Sequence, residues 1–103
     1  SFYLQERKRE VLPCISWTPG TETCNVEWLK LDTSNPAVLS YNLSTNQVEA
    51  PVTGYDLGSD FDLVITSVEE SHAGRYRCEP VDTATENGDI DVYVVGELFG
   101  ITY

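Results

Sequence analysis

The sequence predicts an all-β domain, and three observations carry that expectation. β-Branched and aromatic residues are frequent, while no long stretch keeps a helical period. Short segments with alternating apolar residues recur between turn signals, as at Leu63 and Ile65 and again at Ile90, Val92 and Val94. The length of 103 residues, 41% of them hydrophobic, suffices for one two-layer core.

Taken in order, residues 1–5 can pair as a first strand. The charged cluster Glu6, Arg7, Lys8, Arg9, Glu10 then reads as a solvated edge or turn. Residues 11–16 form the next strand, with Leu12, Cys14 and Ser16 on one face and Pro13 where the ladder does not need its N–H. Pro19-Gly20 places residues 17–26 in a loop. Residues 27–31 are a strand with Trp28 inward, and residues 37–43, 45–49 and 52–55 supply three more. Gly58-Ser59 turns the chain into the strand that holds Leu63 and Ile65. His72-Ala73-Gly74 makes a corner in which Gly74 permits an approach or a dihedral that a side chain would hinder. Tyr76 and Cys78, two residues apart, point to the same side of one strand. Asn87-Gly88 closes a polar loop over residues 82–88 as a hairpin signal, and Ile90, Val92 and Val94 alternate along the last strand.

The stretch from Leu63 to Cys78, LVITSVEESHAGRYRC, resembles the strand E, corner and strand F signature of the immunoglobulin superfamily. Cys14, Trp28 fourteen residues later and Cys78 match the Cys…Trp…Cys spacing of that family. The interval between Trp28 and Phe61 leaves room for strands C′ and C″ as well as D, which is the variable (V-type) pattern. The resemblance implies a two-sheet Greek-key sandwich with an intersheet disulfide between Cys14 and Cys78 packed on Trp28. It also implies a corner tied down by the Tyr76 hydroxyl. Residues 1–95 would be the V-type domain, and residues 96–103 a linker toward a following domain or a tail. In a second register, Phe99-Gly100 resembles the opening of the joining segment of antigen-receptor V domains, although the second Gly of that motif is absent.

V-type domains carry an Asp six residues before the second cysteine, paired with an Arg or Lys at the start of strand D. Here that position is His72, and no Lys or Arg lies between Lys30 and Arg75. The corner is therefore expected to rest on Tyr76 and backbone bonds alone. His72 reads as an exposed corner residue, with pH sensing as the alternative.

A formal charge of −11 argues against nucleic acid and anionic membranes as partners, and reads first as a device for solubility, with a basic partner as the alternative. No apolar run approaches the length of a membrane span and no leader pattern opens the chain, so a mature or trimmed form is expected, any membrane anchor lying elsewhere in a longer chain. Three cysteines in a small β-rich chain point to an oxidising compartment, hence to the cell surface or the secreted space. Cys24 is left over as a free thiol or an interchain bridge. Asn42-Leu43-Ser44 is a glycosylation sequon.

Catalysis is not expected, because the one histidine lies in a structural corner and no phosphate loop or metal-ligand spacing occurs. No cofactor is called for. Two carboxylate sets, Asp56, Asp60 and Asp62, and Asp82, Glu86, Asp89 and Asp91, keep no calcium-loop order. Alternation places Leu29 and Leu31 outward from strand C. On the same face it places Arg77 and Glu79 from F, Asp91 and Tyr93 from G, and Tyr41 or Leu39 from C′. Contiguous apolar residues on a sheet face mark interaction sites. The resemblance names this G-F-C-C′ face as the one that pairs V domains. The expected function is non-enzymatic protein recognition by an extracellular receptor or adhesion molecule. Homodimerisation through Leu29, Leu31 and Tyr93 is its leading specific form. A spacer module, or antigen-type recognition through the end loops, are the alternatives.

Overall fold

The computed structural model describes residues 2–15, 25–34, 36–49, 52–80 and 89–96. Among the described residues nine strands form two sheets. They are β1 (Phe2–Gln5), β2 (Glu10–Leu12), β3 (Val26–Lys30), β4 (Ala37–Asn42), β5 (Gln47–Glu49), β6 (Tyr55–Leu57), β7 (Leu63–Ile65), β8 (Gly74–Pro80) and β9 (Asp89–Val95). Six pair in the order β1-β9-β8-β3-β4-β5, and three in the order β2-β7-β6. Every pairing is antiparallel except β1 with β9, which run parallel from Phe2 opposite Val92 to Gln5 opposite Val95. This is the strand order of a V-type immunoglobulin sandwich.

The alternation read in the sequence appears directly as burial. Val26, Trp28 and Lys30 of β3 are buried while Glu27 and Leu29 are only partly covered, and β8 repeats the pattern with Tyr76, Cys78 and Pro80. Between the sheets, Leu12, Trp28, Leu39, Leu63, Ile65, Val68, Tyr76, Cys78 and Val94 lose essentially all exposure. Trp28 places its one polar atom with a partner, since Nε1 donates to the Phe61 carbonyl at 2.9 Å. The Cys14–Cys78 disulfide joins the sheets with Cα atoms 5.4 Å apart. Closing a 64-residue separation restricts the unfolded chain by an amount worth about 4 kcal/mol in the chain-entropy account.

The second strand stops at Leu12, short of the expected residue 16, because Pro13 has no N–H to continue the ladder. Cys14 nevertheless stays buried. The strand expected over residues 52–55 begins instead at Tyr55 and runs to Leu57. Val52 is exposed, and Gly54 at φ 92° turns the chain before pairing starts. A 3-10 turn, Ser59–Phe61, follows, with Asp60 and Phe61 both left-handed (φ 53° and 62°), a feature the sequence did not announce.

His72 is not an exposed corner residue. Its side chain is buried, its Nδ1 accepts the Glu69 backbone N–H at 2.8 Å, and its ring meets the Tyr55 ring edge-on at 5.4 Å. The corner rests on more than Tyr76 and backbone bonds. Tyr76 Oη donates to the His72 carbonyl at 2.7 Å and lies 3.1 Å from Tyr55 Oη. Lys30 runs inward over the Tyr76 ring, 5.9 Å from its centroid, and its Nζ reaches Asp32 Oδ1 and Oδ2 at 3.2 Å. The missing Asp–Arg pair is thus replaced by a Glu69–His72 cap on one side and a Lys30–Asp32 pair on the other.

Candidate recognition face

The outer face of the six-stranded sheet is built by register. Paired residues share a side, so the outward set follows from one known member. Leu29 lies opposite Arg77 on β8 and Ala37 on β4, and Arg77 lies opposite Asp89 on β9. One step toward the C-terminal end of β8, Glu79 lies opposite Glu27, Glu27 opposite Ser40, and Ser40 opposite Glu49. One step the other way, Arg75 lies opposite Asp91, and its carbonyl accepts the Leu31 N–H at 2.7 Å. Beyond that, Tyr93 lies opposite Tyr3.

The centre of the face is thus Leu29 and Leu31, each partly covered. Beside them is a ladder of charge. Arg77 grips Asp89 through Nε at 2.7 Å and Nη2 at 3.3 Å and reaches Glu79 with Nη1 at 3.4 Å, while Arg75 Nε meets Asp91 at 3.0 Å. The hydrogen bond from Arg77 holds the Asp89 carboxyl below the usual carboxylate range, against the weaker effect of burial. The hydrogen bonds that Arg75 and Arg77 donate to Asp91 and Asp89 likewise raise the two guanidinium groups above their ordinary range. Such exposed pairs add little stability, so their consequence is orientation of the guanidinium groups. Leu31, Asp32, Arg75, Arg77 and Asp89 line a shallow depression on this side. At its far end Tyr3 and Tyr93 stack with ring centroids 5.2 Å apart, Tyr3 being 64% exposed.

The expected C′ contribution requires correction. Tyr41 lies opposite Val26, packs against the core and approaches the Phe61 ring at 5.6 Å. Leu39 is fully buried opposite Trp28. A register shift between Trp28 and Leu29 gives β4 one extra residue, so Val38 and Leu39 are both buried and the simple alternation fails there. Ala37 and Ser40 are the outward residues of β4. Glu27, Arg75 and Tyr3 also belong to the face. The first two follow from stepping by two along β3 and β8, whereas Tyr3 needs the parallel β1–β9 register, which no short-range signal encodes.

Asn42 is exposed at the end of β4. Its Oδ1 accepts the Ser44 N–H at 3.0 Å and the Ser44 hydroxyl at 2.7 Å, so the sequon forms a closed Asx turn. Cys24, the loop over residues 82–88, and Phe99-Gly100 lie outside the described residues. Among the described residues no three His, Cys, Asp or Glu side chains come together to hold a metal ion. Asp89 and Asp91 are engaged by arginines, and Asp56 Oδ1 accepts the Leu57 N–H.

No protein-family model matches the sequence, and no curated protein is significantly similar to it. Solved structures are similar. The extracellular portion of mouse CD200RLa superposes with a TM-score of 0.74 at 24% identity, over 92% of this chain and 55% of that one. The CD2-binding domain of CD58 gives 0.71 at 18%, over 92% and 53%. The extracellular domain of the voltage-gated sodium channel β4 subunit, described as a parallel homodimer, gives 0.67 at 18%, over 94% and 91%. The chain thus spans about half the length of the CD200RLa and CD58 structures. Its fold is that of an immunoglobulin V-type domain.

Proposed function

We propose that this chain is a non-enzymatic protein recognition module of an extracellular receptor or adhesion molecule. It binds through the outer face of the six-stranded sheet. One observation carries the reading: Leu29 and Leu31 are held side by side at the centre of that face, framed by oriented arginines and a stacked tyrosine pair. An apolar centre with a polar frame is the anatomy of a protein interface. The neighbouring structures add support, since one is a CD2-binding domain and another an adhesive homodimer. The disulfide fits an extracellular setting.

A fluorescent multimer of the domain, applied to cells of the source organism, tests the reading. Leu29→Asp with Leu31→Asp should abolish staining while circular dichroism stays that of the parent. Asp56→Lys, exposed on the three-stranded sheet, should leave staining intact. Staining lost only with Asp56→Lys, or absent with the parent domain, would sink the proposal.

A further inference from the structure

The charges on the face select its occupant. Glu79, Glu27, Ser40 and Glu49 form one row across β8, β3, β4 and β5. Glu27 and Glu79 are directly opposed, which brings their Cβ atoms to about 5 Å and sets like charges against each other. A domain shaped for stability alone would place a cation in that row.

The chain has six cations, and all lie among the described residues. Arg75 is engaged by Asp91, and Arg77 by Asp89 and Glu79. Lys30 is turned into the corner beside Asp32. Arg7, Lys8 and Arg9 belong to the turn before β2, where backbone bonds join Arg7 and Lys8 to Val68 beside the corner. Glu79 is five residues further along β8 than Gly74, roughly 17 Å from that end. Among the described residues Glu27 and Glu49 therefore have no cationic partner. The outward set of five carboxylates, Glu27, Glu49, Glu79, Asp89 and Asp91, faces only two guanidinium groups.

We infer that the face takes a different protein, one presenting lysine or arginine side chains opposite the Glu79–Glu27–Glu49 row and an apolar side chain over Leu29 and Leu31. The inference rests on the recognition reading of the same face and names the chemistry of its partner. A second copy fits poorly, because it brings the same excess of carboxylates and its two arginines are already engaged, and like-signed faces suppress association. Homodimerisation through Leu29, Leu31 and Tyr93 is accordingly disfavoured. A basic partner gains rate from steering as well as contact, in a salt-dependent way.

The test is an NMR titration of the isotope-labelled domain with an alternating lysine–leucine hexapeptide and, in parallel, its glutamate–leucine counterpart. The expected result is shift changes concentrated at Glu27, Leu29, Ser40, Glu49 and Glu79 with the lysine peptide, weakening as salt is raised. Glu27→Gln with Glu49→Gln should weaken binding by roughly three- to tenfold, the range for two exposed charge pairs. Glu70→Gln, exposed at the corner, should leave it unchanged. Equal binding of the glutamate peptide, equal loss in Glu70→Gln, or dimerisation of the domain in sedimentation velocity at low salt overturns the basic-partner inference while sparing the face. Shift changes confined to the three-stranded sheet, or none, overturn both.

Discussion

The Tyr76 hydroxyl and the His72 carbonyl, four residues apart, close the corner with a 2.7 Å hydrogen bond buried between the sheets. Tyr76 loses all exposure, and burial pushes its hydroxyl far above the ordinary phenol range, so it remains a donor at every accessible pH. Tyr76→Phe leaves that carbonyl without its donor and Tyr55 Oη without its neighbour. The expected loss is about 1–3 kcal/mol. In a domain of this size each kcal/mol lowers Tm by about 4–8 °C, measurable by calorimetry. An unchanged Tm would show that the corner does not depend on this bond.

His72 makes the corner sensitive to acid. Desolvation pushes its pKa below the ordinary 6.5 and Lys30 acts in the same direction, while the Glu69 carboxylate opposes both. The unfolded chain therefore binds the proton first. Stability from the neutral ring is complete above pH 6.5 and is lost as pH falls below that toward the lowered folded value. Asp32 and Asp89, both lowered from 3.8, lose their contributions only in stronger acid. Urea midpoints should fall between pH 7 and pH 5 for the parent, and His72→Gln should flatten that slope. A parallel slope in the variant would assign the effect to other groups.

Gly74 holds two constraints at once. Its φ is 148°, and a Cβ there would come within 2.6 Å of the Asp32 carboxylate oxygens. Gly74→Ala should destabilise the fold by about 1–3 kcal/mol. Adding Asp32→Ala should relieve only the steric share and leave the backbone share, so the double variant remains less stable than Asp32→Ala alone. Denaturant midpoints for the four chains of that cycle separate the two contributions.

The Asx turn at Asn42 presents an exposed amide with its sequon hydroxyl already engaged. Expression through a secretory pathway should give a domain that loses mass on treatment with an N-glycan amidase, whereas Asn42→Gln should show no change. A glycan there would cover the exposed turn between β4 and β5, and leave Leu29 and Leu31 accessible. A parent domain without glycan would leave the sequon a turn and nothing more.

The fold was legible because its determinants are local or stand at fixed spacing. Leu63, Ile65, Tyr76 and Cys78 announce two strands and the corner between them, and Cys14, Trp28 and Cys78 tie those strands to the opposite sheet. The face was legible only where alternation holds. Leu29, Arg77, Glu79 and Tyr93 follow from period two. Tyr41 and Leu39 do not, because one extra residue in β4 reverses the side on which they stand. His72 was misplaced for a related reason. Its burial depends on the ring of Tyr55, remote in sequence and marked by no short-range pattern. The opposition of Glu27 and Glu79 was equally hidden, since it depends on the registration of two strands far apart in sequence.

The parallel union of β1 with β9 has a mechanical consequence. The two strands run side by side in the same direction, from Phe2 beside Val92 to Gln5 beside Val95. A tensile load that drew the start of β1 and the end of β9 apart would lie along both strands and across the hydrogen bonds between them. The bonds would then share the force and yield together, as in a lap joint, instead of opening one after another like a zipper. A pull applied between those two ends would therefore meet the domain along this seam.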